Sequence, residues 1–555
     1  MLLSQQLDPF CDPGRYISTT VHQFEHRFIR KSSFKQDIDR ICDDETYDIY
    51  FSCLWGGPRD NVAGQDAAAY LESKGVEVLT NTASAMRLCN DKLGFYAKVK
   101  PAGIRVPGNE PGCFPKIVKL RDGANSETLD FDSICHDERQ LEKRVALVKK
   151  LKPDAECLVQ DYIIGSEVNV VVVEMGHAVV ALEPVEYVFP PDIPTGQAFL
   201  TFDNKFVNVG KGVVRTRIVI DEPRRSRIRE TSQNAFKAAG MQGGSGWCRV
   251  DMRIDARTGE IYVLEINAFP TVFYPRGAFT SDKVIERTYP GGHAALFDML
   301  LATKLIQAKA YCQAHRTVST FFDDFSKKYE IAWEMPSIKT VRNVMAVDFD
   351  WAGCVLDLAC GSGFLGNALF DAGWTSSVVV GVDISPEMAA SERTRKFYKQ
   401  PIHLEPIEEF IMTADPYDHI ACFNGLQYLS PVLFTAALSR MFMLARKSVS
   451  FEVDDMPQEH VQSTNERIGT SAIYNNTQTM ARFPTPPDWQ RVLEKQQFLF
   501  RSPNTGVNVR GTFYRFEKLD QCLCVNGNDN RELDQCLCVN GNDNRASNSS
   551  CNGFL

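Results

Sequence analysis

The 555-residue sequence lacks several features that would each have decided its class. It has no GxxxxGKS or GxxxxGKT run, which excludes a Walker-type loop as the holder of nucleotide phosphates. It has no unbroken apolar stretch of about 20 residues. Its nearest approach, Val168 to Val188, is interrupted by Asn169, Glu174, His177, Glu183 and Glu186, so no transmembrane helix is expected. It has no excess of basic residues. The net charge is -9 with both signs interspersed, which denies nucleic acid or an anionic membrane surface the positive field it needs. The opening MLLSQQLDPFCDPG lacks a basic stretch followed by an apolar run and does not read as a secretory signal. Cysteine is not scarce, but the 17 residues, many inside apolar runs like Cys248 and Cys354, read as reduced core thiols and not a disulfide framework. A cytoplasmic protein acting on small molecules, as a monomer or a homodimer, is the expectation.

What is present is the composition of a folded chain, 44% apolar and 24% charged, at a length that asks for two to four domains. Strand-like runs alternate with helical patterns: TYDIYFSCLW, QDAAAYLESKG and VEVLTN early on, VVVGVDIS and EMAASERTRKFYK later. This predicts α/β units. A helical, weakly apolar segment at 303–320 separates two such regions, and 306–320 is taken as a linker. After it, 321–518 suits one doubly wound domain of about 200 residues. Beyond that the composition changes: Leu519–Arg531 recurs as Leu533–Arg545, a tandem 14-residue repeat in a polar tail (519–555). The four thiols of its two CysLeuCys triplets could make a zinc site, but an Asn- and Gly-rich duplication reads better as a disordered tail.

In the first half, WCRVDMRIDARTGEIYVLEINAFP reads as two strands joined by a short turn. Glu265 and Asn267, two apart, point to one face of the second strand, and Asp251 lies on the first. Three oxygen ligands on one face suit Mg²⁺ bridging protein to nucleotide phosphates. The alternative is the polar outer face of a hairpin.

The run Arg249-Val-Asp251, followed by Leu264-Glu265-Ile-Asn267-Ala-Phe-Pro270, resembles the metal-binding signature of the ATP-grasp superfamily, D-alanine–D-alanine ligase type. AsnAspLys at 90–92, GlyIleArgValPro at 103–107 and PheProLysIleValLys at 114–119 fall in that family's order. The resemblance implies a pre-ATP-grasp region (1–90) and an ATP-grasp domain (91–305) of mixed α+β subdomains. It makes Lys119 a lysine on the ATP phosphates and residues 122–126 the phosphate-covering loop. Gln160 to Ile163 become the hinge that meets adenine, Glu167 the ribose carboxylate, and Lys205 a second phosphate lysine. Taken singly, Lys119 reads equally as a surface lysine, Glu167 as a turn carboxylate and Lys205 as a solvated loop residue. Gln160 stands where the family often has a carboxylate, and residues 1–50 show no clear glycine-rich first strand. Such a site activates a carboxylate as an acyl phosphate, which an amine then displaces. Arg249 is placed like the family's catalytic arginine on the tetrahedral oxyanion, with an ion pair to Asp251 or Asp255 as the alternative.

In the second half, CysValLeuAspLeuAlaCysGlySerGlyPheLeuGly (354–366) is a strand running into a small-residue turn and a helix. About twenty residues on, a second strand ends in Asp383, within reach of ligand ribose hydroxyls. A dinucleotide site shares this geometry. The spacing Asp357, Ala359, Gly361, Gly363 and the run DISPEM instead resemble a class I methyltransferase, Rossmann-like and seven-stranded, which implies S-adenosyl-L-methionine as donor. Glu405 is then a candidate for the adenine amino group, and Asn424 and Tyr428 for the pocket wall, or else a turn cap and a core aromatic. The strand pair near 494–517 completes that sheet antiparallel at its edge.

Together these readings predict a bifunctional biosynthetic enzyme joining a carboxylic acid to an amine, amino-acid-like, with ATP and Mg²⁺, and methylating the product or a precursor. Such fusions resemble enzymes of fungal secondary metabolism. The alternatives are a ligase forming another acyl bond and a non-catalytic nucleotide-binding regulator. Since each half carries its own motifs, each is expected to own a separate core and a separate site.

Overall fold

The computed structural model describes residues 2–4, 22–23, 25–44, 47–123, 126–191, 193–201, 214–269, 280–289, 291–326, 334–469 and 472–519. Lys205 and the tail repeat, apart from Leu519, lie outside them.

Four short strands, Leu2–Ser4 (β1), His26–Phe28 (β2), Tyr50–Ser52 (β3) and Val78–Leu79 (β4), pair in parallel in the order β2-β1-β3-β4. Alternation along β3 sends Tyr50 into the core of the first half, while Phe51 faces the opposite way. A small sheet follows, Lys116–Leu120 (β5) between Ile134–Cys135 (β6) and Cys157–Asp161 (β7). It is backed by the helix Glu138–Leu151 (α1). That helix starts where the Asp137 side chain accepts from the Gln140 N–H at 2.8 Å and ends on Lys149 and Lys150, the charge order its dipole favours.

The main sheet of the first half runs β11-β10-β8-β12-β13, built from Gly165–Met175 (β8), Ala178–Ala181 (β9, paired to β8), Val185–Val188 (β10), Arg215–Ile218 (β11), Trp247–Asp255 (β12) and Ile261–Asn267 (β13). On β8, Val168, Val170 and Val172 enter the core of the first half. The other face carries Glu167 and Asn169 at one end and Val171, Val173 and Met175 at the other.

The second half is one seven-stranded sheet of Cys354–Leu358 (β14), Val378–Asp383 (β15), Lys399–Leu404 (β16), Tyr417–Cys422 (β17), Ala445–Asp455 (β18), Trp489–Arg501 (β19) and Asn508–Lys518 (β20). Its order is β16-β15-β14-β17-β18-β20-β19, parallel through β18 and antiparallel for the last two, so the edge pair lies where the sequence placed it. The order in which strands are added reverses at β14, with β15 on one side of it and β17 on the other. That is the switch point at which open α/β sheets bind ligands.

The structure corrects the expectation of separate cores. The described residues up to Lys518 form one compact unit. The largest apolar cluster takes Phe51, Val171 and Trp247 from the first half together with Leu356, Ile420, Phe434 and Phe451 from the second. Between them runs Gly292–Ile306 (α2), with the sequence GHAALFDMLLATKLI, buried on nearly every side. A helix apolar all round belongs in a core. Phe297 of α2 meets Phe51 at 5.0 Å between ring centroids, and Phe51 meets Trp247 at 5.5 Å. The segment expected as a linker continues as a second helix, Lys309–Ser326 (α3).

Candidate functional site

One cleft in the first half brings together Lys119, Gln160, Ile163, Glu167, Asp251 and Glu265. Strand pairing explains how. Asp251 on β12 stands directly opposite Glu265 on β13 and Asn169 on β8, and Arg253 stands opposite Glu167. Lys119 and Gln160 come from the adjacent strands β5 and β7 of the small sheet, so the cleft opens between the two sheets. Of the loop at 122–126, Gly123 and Ser126 line it, while 124–125 lie outside the described residues.

Asn267 and Arg249 are not lining residues but act on one that is. The Arg249 guanidinium donates to both Asp251 oxygens at 2.7 Å, and the Asn267 amide donates to Oδ2 at 3.0 Å. The ion pair named as the alternative for Arg249 is therefore formed. Two lining contributors were not assigned from sequence. Lys92 has its Nζ 2.7 Å from the Gly123 carbonyl and 3.3 Å from Glu265. Arg253, buried, donates to the Ile163 carbonyl at 2.7 Å and to Glu167 at 3.1 Å, tying the two together. Both had signals: Lys92 ends the AsnAspLys landmark, and Arg253 follows Arg249 and Asp251 at the period of two. Burial, and next the neighbouring Lys92, bring the Lys119 ammonium down to about 7. Its charge is thus weakly held.

The second cleft sits at the carboxyl ends of β14, β15 and β17. Ala359 (φ 57°), Gly361 (φ 53°) and Gly363 (φ 86°) give three left-handed residues in five, which small side chains permit. At Gly363 an added Cβ would stand 3.0 Å from the Thr394 nitrogen. Asp383 clamps this turn, one oxygen accepting from the Gly361 N–H at 2.7 Å and the other from the Ser385 N–H at 2.8 Å. Burial raises the Asp383 carboxyl to about 6 despite those bonds.

Ala359, Gly361, Asp383 and Asn424 (φ 57°) line a cavity of about 1100 Å³. Asp357 is not on its wall but behind it, taking the Tyr398 hydroxyl at 2.6 Å, and burial raises it to about 7. Gly363 and Glu405 are also off the wall; in place of Glu405 the wall has Glu408, nearly fully buried and 2.9 Å from His315 Nε2 on α3. Tyr428 lines the cavity. Among the described residues no group of three or more His, Cys, Asp or Glu side chains forms a metal cluster, and no helix is long and apolar enough to cross a membrane.

Comparison with known proteins decides what these two clefts belong to. Residues 114–274 match the family model described as "D-ala D-ala ligase C-terminus", and residues 355–448 match that described as "Methyltransferase domain". The chain therefore contains a D-Ala-D-Ala ligase C-terminal domain and a methyltransferase domain. D-alanine–D-alanine ligase of Chlorobaculum parvum is 28% identical over 210 residues, covering 38% of this chain and 48% of that protein. D-alanine–D-alanine ligase B of Xanthomonas campestris pv. campestris is 30% identical over 162 residues, covering 28% and 43%. The chain thus spans about half or less of the curated relatives it matches. The solved D-alanine–D-alanine ligase of Bacillus anthracis complexed with ATP is 17% identical, covering 55% of this chain and 96% of that one, with a TM-score of 0.39. The ligase match takes in Lys119, Gln160, Glu167, Asp251, Glu265 and Asn267, and the methyltransferase match takes in Asp357 to Asn424.

Proposed function

We propose that this chain is a bifunctional biosynthetic enzyme that couples a carboxylic acid to an amine at the expense of ATP and transfers a methyl group to the product or a precursor of it. The observation that carries the ligase reading is the convergence of Lys119, Glu167, Asp251 and Glu265 from four strands on one cleft.

In this reading ATP lies between the two sheets, with adenine against Gln160 to Ile163, the ribose at Glu167 and the phosphates at Lys119 and, outside the described residues, Lys205. The donor set on β12 and β13, two carboxylates and an amide oxygen, has the hard-oxygen chemistry Mg²⁺ takes, so Asp251, Glu265 and Asn267 would hold it. Mg²⁺ would supply charge neutralisation on the phosphates. Arg249, held in place by Asp251, faces the same region and stabilises the oxyanion that forms when an amine attacks the acyl phosphate. In the methyltransferase domain the turn at Ala359 to Gly363, with Asp383, holds S-adenosyl-L-methionine, which supplies an electrophilic methyl group. The amino-acid-acting relatives support amino-acid-like substrates. Secondary metabolism and a cytoplasmic setting complete the proposal.

Product analysis tests the first reaction. With Mg²⁺, ATP and a panel of amino acids and other carboxylic acids paired with amines, the nucleotide product should be ADP with inorganic phosphate. AMP with pyrophosphate would mean an adenylate and exclude the acyl phosphate.

A further inference from the structure

The cavity at the methyltransferase turn is larger than one ligand requires. Pockets for single small molecules span about 300–1,000 Å³, and this one, at about 1100 Å³, extends away from Asp383 and Gly361 to the first half of the chain. Its far wall is Tyr47, Ile49 and Phe51, three residues at the period of two along the approach to and start of β3. Its side is the row Phe297, Leu301 and Leu305, which belongs to α2 and repeats at helical spacing.

Of the charged groups on these walls Asp48 is exposed, and Glu408, His315, Asp383 and Glu25 are already engaged. Glu408 holds His315 Nε2 at 2.9 Å while His315 Nδ1 lies 2.9 Å from the Tyr311 carbonyl, so both ring nitrogens have oxygen partners. Burial pushes the His315 imidazolium down, but Glu408 outweighs it and the net shift is upward. Asp383 accepts its two backbone N–H groups, and Glu25 accepts the Tyr47 hydroxyl at 3.0 Å. The space between the donor turn and the far wall is therefore mainly apolar and aromatic, its buried charges paired off and Asp48 exposed.

We propose that this space is the methyl-acceptor subsite, and that it takes an uncharged acceptor with an apolar, ring-sized body whose far side is recognised by the ligase half of the chain. The proposal rests on the methyltransferase reading above. The acceptor heteroatom donates its lone pair to the methyl carbon, the carbon–sulfur bond breaks with its electron pair going to sulfur, and the acceptor's proton leaves to water, since His315 has no vacant nitrogen. The consequence is a physical link between the activities: methyl transfer uses a wall that only the ligase half provides.

The test uses the full chain saturated with S-adenosylhomocysteine and titrates it with N-phenyl-1-naphthylamine, a neutral aromatic probe whose emission rises in apolar surroundings. The parent should bind one probe per chain with the donor product still bound. Ile49→Trp and Leu305→Trp, which fill the space from two sides, should each weaken the probe by about tenfold or more while calorimetry finds S-adenosylhomocysteine affinity within about twofold of the parent. Ile49→Ala, which opens the wall without strain, should keep the probe within about threefold. The proposal is overturned if the parent binds no probe, if the donor product displaces it one for one, or if both tryptophan variants bind it as the parent does. A parent that fails to bind S-adenosylhomocysteine overturns the methyltransferase reading itself, an outcome the same calorimetry separates from the others.

Discussion

Trp247 and Arg249 stand two residues apart on one face of β12, the first inside the core shared by both halves and the second bonded to Asp251 beside the ligase cleft. A single strand thus carries the junction at one end and the chemistry at the other. The ligase cleft cannot be moved without moving the seam between domains.

The shared core predicts joint unfolding. Phe297→Ala and Trp247→Ala each remove a large buried ring and should cost about 3–5 kcal/mol. The loss should appear as one transition affecting both domains. Guanidinium melts followed separately through Mg²⁺·ATP protection and S-adenosylhomocysteine protection would check this, and a variant that shifts only the ligase signal would contradict it. Cutting near His315, within α3, should for the same reason expose apolar surface of α2 and give aggregation-prone pieces.

Lys119 predicts a proton count. With its ammonium lowered to about 7 in the free protein, the group is mostly neutral at pH 8 and becomes charged when phosphates arrive. Binding of Mg²⁺·ATP should take up most of one proton at pH 8 and about half of one at pH 7. Calorimetry in buffers of different ionisation enthalpy measures this. Lys119→Met should abolish the uptake. The sign for stability follows: a lysine lowered in the folded state leaves the unfolded chain holding the extra proton between about pH 7 and 10, so ligand-free stability gains from Lys119 as pH rises through that window.

Arg249 separates structure from catalysis. If it acts on the oxyanion, Arg249→Ala should bind ATP yet lose about 10² to 10³ in turnover. Its bidentate bond to Asp251 means the variant also leaves that carboxylate with Asn267 alone. Arg249→Lys, which keeps the charge and loses the fork, should likewise bind ATP and regain part but not all of the turnover. Full turnover by a folded Arg249→Ala would leave only the ion-pair role.

What was legible in the sequence was local. The acid-and-amide run at Glu265 and Asn267, the Asp251 before it and the small-residue turn at 359–363 each follow from spacing along one or two strands; Asp251 and Glu265 line one cleft, Ala359 and Gly361 the other, while Asn267 and Gly363 stand behind these walls. What was not legible depends on which face meets which neighbour. The helical pattern of 303–320 is visible, but α2 packs on both halves, and no local pattern says that of Leu300 and Leu301, both in the shared core, only Leu301 also lines the methyltransferase cavity. Glu405 and Glu408 differ by three residues in an acidic stretch, and only the chain's turn after β16 puts Glu408 on the wall. Lys92 and Arg253 are not legible because a lone cation on a helix or strand is most often solvated, and here each is buried against the partner that explains it.

The central claim is that two nucleotide-type ligands occupy two distinct clefts of one chain. Calorimetric titration of the full chain with Mg²⁺·ATP and with S-adenosyl-L-methionine tests it most directly. The parent should bind one of each. Asp251→Ala with Glu265→Ala should lose Mg²⁺·ATP and keep the methyl donor, whereas Asp383→Ala should keep Mg²⁺·ATP and weaken the donor by about 1.5–3 kcal/mol, the worth of a charged hydrogen bond. Binding of a nicotinamide dinucleotide in place of the donor, or Mg²⁺·ATP binding that survives loss of both carboxylates, would contradict the account.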